Sequence, residues 1–249
     1  MRRALSIAFA LGATLVLTGT AGSYDAIVVS GDPVVADIVR VRAAERGISE
    51  PGPEARVLAV RLEKDDRLVG DDATIVCRGG RATVRGSRRR ALVQGVGVLL
   101  RQMTWQDGSF SVPDGEWAFR PQVPLRQAYF ARQCHNVYHM WNDRQLARYC
   151  EDLMLWGFNS VHVNALSALN FKSTYEEDPE ARQCLDVFAR LSARLKELDM
   201  MLQDGVMVNL GFIDTPDELK AAPNKAIERK LPDFGARICP NAPGAMDYI

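Results

Sequence analysis

Between Leu125 and Leu210 short strand-like runs alternate with two helix-length segments, and this spacing constrains the fold more than any other feature of the chain. Leu125 to Phe130 reads as a strand. Asn142, with Gln145 three residues later, makes a capping-box start for a helix to Trp156 that Gly157 ends. The apolar stripe of that helix is Leu146, Tyr149, Cys150, Leu153 and Trp156. Asn159 to Asn164 is the second strand, Pro179 to Leu198 the second helix, and Gly205 to Leu210 the third strand. Each helix carries the chain back to the same end of the sheet, so the strands pair in parallel through right-handed crossovers. The expected fold class over 123–249 is α/β, either a doubly wound sheet or a (β/α) barrel.

Residues 23–122 read differently, as a small α+β domain. Ala26 to Ser30 is a strand, Pro33 to Arg46 a helix ended by Gly47, and Val57 to Leu62 a further strand. Ala73 to Cys77 and Arg81 to Arg85 alternate as strands and join through Gly79-Gly80, a pair suited to the positive φ angles of a tight hairpin. Ser87 stands at an N-cap position before a helix to about Met103, whose apolar face is Leu92, Val96, Leu99, Leu100 and Met103. Arg88, Arg89 and Arg90 oppose the dipole in its first turn and read as a solvated surface, with a contact outside the helix as the second reading. Gly95 and Gly97 weaken the helix and imply close approach to a neighbouring backbone. Turn residues from Asp107 to Pro124 break up the alternating Phe110, Val112, Trp117 and Phe119, and the domain boundary falls near 122.

Arg2 and Arg3 precede the apolar run Ala4 to Leu17 and the small residues Thr18 to Ser23, an order that reads as an export signal over 1–22. The expected location is therefore secreted or periplasmic. The run is shorter than the ~20 residues of a spanning helix, so no stable membrane span is expected after cleavage. An uncleaved anchor and a buried N-terminal helix are the alternatives. The 31 basic and 31 acidic residues cancel, which removes any global drive toward nucleic acid, and no nucleic-acid partner is expected. Five cysteines, Cys77, Cys134, Cys150, Cys184 and Cys239, form no C-x-x-C pair and read as small apolar fillers, with a single disulfide left open. Phosphate-binding glycine loops and a G-x-S-x-G elbow are missing from the sequence, and no cofactor is expected.

Several stretches carry a family resemblance. Pro124 to Phe130 (PLRQAYF), His135 to His139 (HNVYH) and the run RQLARYCEDLMLWGFNSVHVN resemble the opening of the catalytic barrel in secreted glycoside hydrolases related to α-glucuronidases and β-hexosaminidases. RATVRGSRRRALVQGVGVLLRQM is similar to the end of the α+β domain that precedes the barrel there, with Gln94 where the family often has an aromatic. VMVNLGFIDTPDELKA and ICPNAPGAMDYI are similar to the same group, although Leu210 follows Asn209 where the family places an acid. The resemblance implies an α+β domain of that type over 23–122 and an incomplete (β/α) TIM barrel with about three parallel strands over 123–249. A closed barrel takes eight strands and ~250 residues. The expectation is thus the N-terminal part of a longer protein, or a short product completed by a partner chain.

Barrel sites gather at the C-terminal ends of strands and in the loops that follow them. That rule nominates Tyr129, His135, Tyr138, His139, His162, Asn164 and Asn209 for sugar contact, with Tyr129, Tyr138 and Trp141 as stacking platforms. Three readings of His135 and His139 stay open: sugar contact, bonding to loop backbone, and zinc with His162 as third ligand. Without an H-E-x-x-H motif, no metal site is assigned. Whether His162 and Asn164 or Val161 and Val163 face the pocket depends on register. Trp141 and Trp156 read as packing residues. Glycosidic hydrolysis uses two carboxylic groups. No pair stands out, since Glu176, Glu177 and Asp178 suit a helix start and Asp214 suits a ligand contact or the cap of a turn or helix start. Two functions follow: the N-terminal portion of an exported glycoside hydrolase whose catalytic carboxylates lie elsewhere, or a noncatalytic carbohydrate-binding or assembly module.

Overall fold

The computed structural model describes residues 21–130, 142–163, 179–204, 215–220 and 238–248. Contacts divide the chain into two units, one of 21–87 with 95–120, the other of 88–94 with the described residues from 121 onward.

The first unit is built on a five-stranded mixed sheet. Its strands are β2 (Ala26–Ser30), β3 (Val57–Lys64), β4 (Ala73–Arg78), β5 (Arg81–Gly86) and β8 (Gly115–Phe119), in the order β2-β3-β5-β4-β8. The β2-β3 and β3-β5 pairs are parallel, and the β5-β4 and β4-β8 pairs antiparallel. Helix α1 (Pro33–Ala44) makes the β2-to-β3 crossover. Asp32 starts it by accepting from the Val34 and Val35 amides, and Pro33 sits where no amide is needed. Gly47, at φ +75°, ends it. The β4-β5 hairpin turns at Gly79 and Gly80, both at positive φ as their sequence suggests. Alternate residues Ala73, Ile75, Cys77, Ala82 and Val84 are buried. Strands β1 (Ala21–Tyr24), β6 (Thr104–Gln106) and β7 (Ser109–Pro113) make a second antiparallel sheet in the order β1-β7-β6. Its first strand takes in Ala21 and Gly22, the last two residues of the expected export segment; residues 1–20 of that segment lie outside the described residues.

Helix α2 (Arg89–Gln102) departs from its sequence reading in three ways. Ser87 is not its cap: the Leu92 amide donates to the Arg88 carbonyl, and the Ser87 hydroxyl donates to the Gly70 carbonyl at 2.8 Å. The arginines are not all solvated, since Arg89 and Arg90 donate to the backbone carbonyls of Glu197 and Asp199 at 2.6 and 2.9 Å. Gly95 meets side chains and not backbone: a Cβ there would lie 2.7 Å from Val84 Cγ1 and 3.0 Å from Ala73 Cβ.

The second unit carries a three-stranded parallel sheet of β9 (Gln127–Phe130), β10 (Ser160–Val163) and β11 (Met201–Asp204), in the order β11-β10-β9. Helices α3 (Asp143–Leu155) and α4 (Pro179–Glu197) connect them, so the expected α/β pattern of three parallel strands holds. Asn142 and Gln145 form the capping box on α3. Both helices end in the same reversal. Phe158 and Met200 amides reach back to the Leu153 and Leu195 carbonyls, with Gly157 at φ +101° and Asp199 at φ +59°. The third strand lies earlier than its sequence pattern suggests, and Gly205 to Leu210 lie outside the described residues. Trp156 is also corrected: it is 68% exposed, and Met154 and Leu155 are buried in its place. An ion pair of Glu151 with Arg194 ties α3 to α4. A short segment follows, in which Leu219, Ile238 and Ala245 of the terminal helical turn α5 (Ala245–Tyr248) pack together.

Cys77, Cys150 and Cys239 are free thiols. Burial pushes the Cys150 thiol up to about 12 and the Cys77 thiol up to about 11, with Glu151 and Asp114 adding to it. A folded thiol that holds its proton more tightly than the unfolded one contributes stability that is complete below about pH 9 and declines as pH rises through 11 and 12. Denaturant unfolding at about pH 8 and about pH 10 should therefore show lower stability at the higher pH, and substitution of both cysteines by alanine should reduce that difference.

Candidate functional site

Strand register decides which side chains share a face. His162 is aligned with Tyr129 on one side and Gln203 on the other, and Ser160 with Gln127 and Met201. Side chains alternate across a strand, so Gln127, Tyr129, Ser160, His162 and Gln203 lie on one face and Ala128, Val161 and Leu202 on the other. Val161 is fully buried. The right-handed rule for parallel crossovers puts α3 and α4 on one face of the sheet, and the burial of Val161 marks the second face as the covered one. Tyr129, by contrast, is 50% exposed and Gln203 is exposed.

Contacts on the open face agree with this division. The Tyr129 and His162 rings meet edge to face with centroids 5.1 Å apart and an interplanar angle of 79°. Beneath them, Gln127 Nε2 donates to Ser160 Oγ at 3.1 Å and to Gln203 Oε1. Tyr129, His162 and Gln203 each occupy the third of four positions in their strands, close to the carboxyl ends. An aromatic face beside an amide and an imidazole can stack against the C–H face of a pyranose while hydrogen-bonding its hydroxyls.

The opposite end of the sheet is held by a separate polar network. Asn159, 1% exposed, accepts from the Arg126 amide at 2.9 Å and donates to the Pro124 carbonyl at 2.7 Å. The Arg126 guanidinium donates to the carbonyls of Gly157 and Val123 at 2.6 and 2.7 Å. Gln94, fully buried, donates to the Gly157 and Phe158 carbonyls at 3.3 and 3.0 Å. These bonds end the α3 reversal and fix where β9 and β10 begin, a structural task that suits the amino end of a parallel sheet.

Of the residues nominated from sequence, Tyr129 and His162 come together. His135, Tyr138, His139, Asn164 and Asn209 lie outside the described residues, as do Trp141, Glu176, Glu177, Asp178 and Asp214. Gln127 and Gln203 went unnominated. Gln127 is two residues before Tyr129 and so shares its face, a signal the strand pattern contains; Gln203 had none, because its strand was placed downstream. Among the described residues no group of three or more His, Cys, Asp or Glu could hold a metal ion. None of their helices is long and apolar enough to cross a membrane.

No known family model matches the chain, and no curated protein matches its sequence. Solved structures match its fold. An exo-β-N-acetylglucosaminidase of glycoside hydrolase family 20 from Vibrio harveyi aligns with 92% of this chain and 41% of its own, at a TM-score of 0.62 and 8% identity. A second family 20 β-N-acetylglucosaminidase aligns with 77% of this chain and 40% of its own, at 0.56 and 15% identity. The β-N-acetylhexosaminidase of Streptomyces coelicolor aligns with 75% and 42%, at 0.52 and 13% identity. The chain thus has a glycoside-hydrolase-like fold and spans about two fifths of the length of these structures.

Proposed function

We propose that the chain is an exported protein of glycoside-hydrolase type that binds carbohydrate, with an N-acetylhexosamine as the ligand class, on the open face of its parallel sheet. The observation that carries this reading is the pair of exposed Tyr129 and half-buried His162 near the carboxyl ends of adjacent parallel strands in a fold shared with glycoside hydrolases. A structure of the Vibrio harveyi enzyme holds N-acetylglucosamine, which motivates the choice of sugar. In this reading 1–22 is an export signal, 23–122 the α+β domain that precedes a glycosidase barrel, and 123–249 the start of that barrel. Strands beyond these three, from further chain or a partner chain, complete it and supply the catalytic carboxylates. His135, Tyr138, His139, Asn164 and Asn209 extend the contact surface.

Isothermal titration with N,N′-diacetylchitobiose tests the proposal. Wild-type protein should bind, and Tyr129→Ala should weaken binding by about tenfold, which corresponds to about 1.4 kcal/mol for a lost stacking surface. Absence of binding by folded wild type, or unchanged affinity in the variant, would refute it. The same purified chain should release no sugar from chitooligosaccharides; release without a partner would show that it contains a working acid/base pair.

A further inference from the structure

We propose that Gln203 is a ligand-contacting residue of this face and that it presents hydrogen-bond donors to an acceptor oxygen of the bound sugar. The inference rests on the carbohydrate reading above and names one contact within it. Register sets Gln203 beside His162, which in turn sits beside Tyr129, so the three make a single row across the sheet. Gln127 then sets the direction of the Gln203 amide. One Gln127 side-chain amide group serves two acceptors, Ser160 Oγ and Gln203 Oε1, and Ser160 is fully buried, which holds that arrangement from below. Gln203 Oε1 is thereby engaged inside the protein. Its Nε2 is left to face outward from an exposed residue. A hydroxyl oxygen or an acetamido carbonyl of a pyranose stacked on Tyr129 meets that donor; a ligand group that offers only a proton does not. Gln127 and Ser160 act as positioning residues, since they reach the ligand through Gln203 alone.

The test is titration with N,N′-diacetylchitobiose of wild type, Gln203→Leu, Gln203→Glu and Gln127→Glu, each checked by its thermal midpoint. Gln203→Leu and Gln203→Glu should both weaken binding by about fivefold or more, because neither carries a donor. Gln127→Glu should weaken it similarly with Gln203 intact, since a carboxylate at 127 draws the Gln203 amide donors inward and turns its carbonyl out. In wild type, the side-chain NH2 resonances of Gln203 should shift on sugar addition, a readout that does not depend on any variant folding. Binding by wild type with undiminished affinity in Gln203→Leu would overturn the assignment while leaving the carbohydrate reading intact. Retention of binding in Gln203→Glu with loss in Gln203→Leu would show that the residue accepts and does not donate. No binding by wild type would sink the carbohydrate reading itself, and this contact with it.

Discussion

Asn159→Leu should destabilise the protein by about 2 kcal/mol in denaturant unfolding, because the part-buried Arg126 amide loses its partner and the Pro124 carbonyl keeps only the Arg126 guanidinium at 3.3 Å, where an unsatisfied group costs about 1–3 kcal/mol. Asn159 holds the Arg126 amide and the Pro124 carbonyl at 2.9 and 2.7 Å and is 1% exposed. Leucine keeps asparagine's branched four-atom side-chain skeleton, so no cavity forms, and the measured loss reports the lost hydrogen bonds together with crowding by the bulkier methyl groups. Hydrogen exchange adds a local readout: the Arg126 amide, protected in wild type by the Asn159 side chain, should exchange faster in the variant. A loss under about 0.5 kcal/mol, the range of an ordinary surface substitution, would mean that water or a shifted backbone replaces these bonds.

Gly95→Leu should cost a comparable amount through a different mechanism. Replacing a helical glycine raises intrinsic helix propensity by up to about 1 kcal/mol. Against that, a Cβ at 95 would lie 2.7 Å from Val84 Cγ1 and 3.0 Å from Ala73 Cβ. Val84 and Ala73 are fully buried, and a β-branched methyl and an alanine Cβ have no flexible end to move aside. Overpacking of this kind costs about 1–3 kcal/mol and sometimes more, so it outweighs the propensity gain, and leucine adds further atoms to the same collision. The expected net loss is about 3 kcal/mol, with Gly95→Ala between leucine and wild type. A variant as stable as wild type would show that α2 can lift from the sheet at no cost.

Elements defined by local chemistry were legible in the sequence. The Gly79-Gly80 turn, the Pro33 start of α1, and the Asn142–Gln145 box with Gly157 as the α3 terminator all depend on residues a few positions apart, and each lies where its pattern places it. What misled was long-range. Trp156 fits the helical stripe by spacing, yet it caps α3 just past the last helical residue and points outward, and burial falls on Met154 and Leu155. Arg89 and Arg90 look solvated because their acceptors, the Glu197 and Asp199 carbonyls, are more than a hundred residues away in the chain. The third strand begins three residues after Leu198 because Asp199 adopts a left-handed turn usually given to glycine, and the sequence carries no glycine there to announce it. That shift also hid Gln203. Parity would have paired Gln127 with Tyr129, but the pairing of Tyr129 with His162 required the register of β9 and β10, which a single sequence does not contain.

The most direct test is a crystal structure of the chain grown with N,N′-diacetylchitobiose. The account predicts three parallel strands with Tyr129, His162 and Gln203 in one row, a sugar ring over the Tyr129 face, and Gln203 Nε2 donating to a sugar oxygen. Antiparallel pairing of those strands, or a sugar seated away from that row, would contradict it.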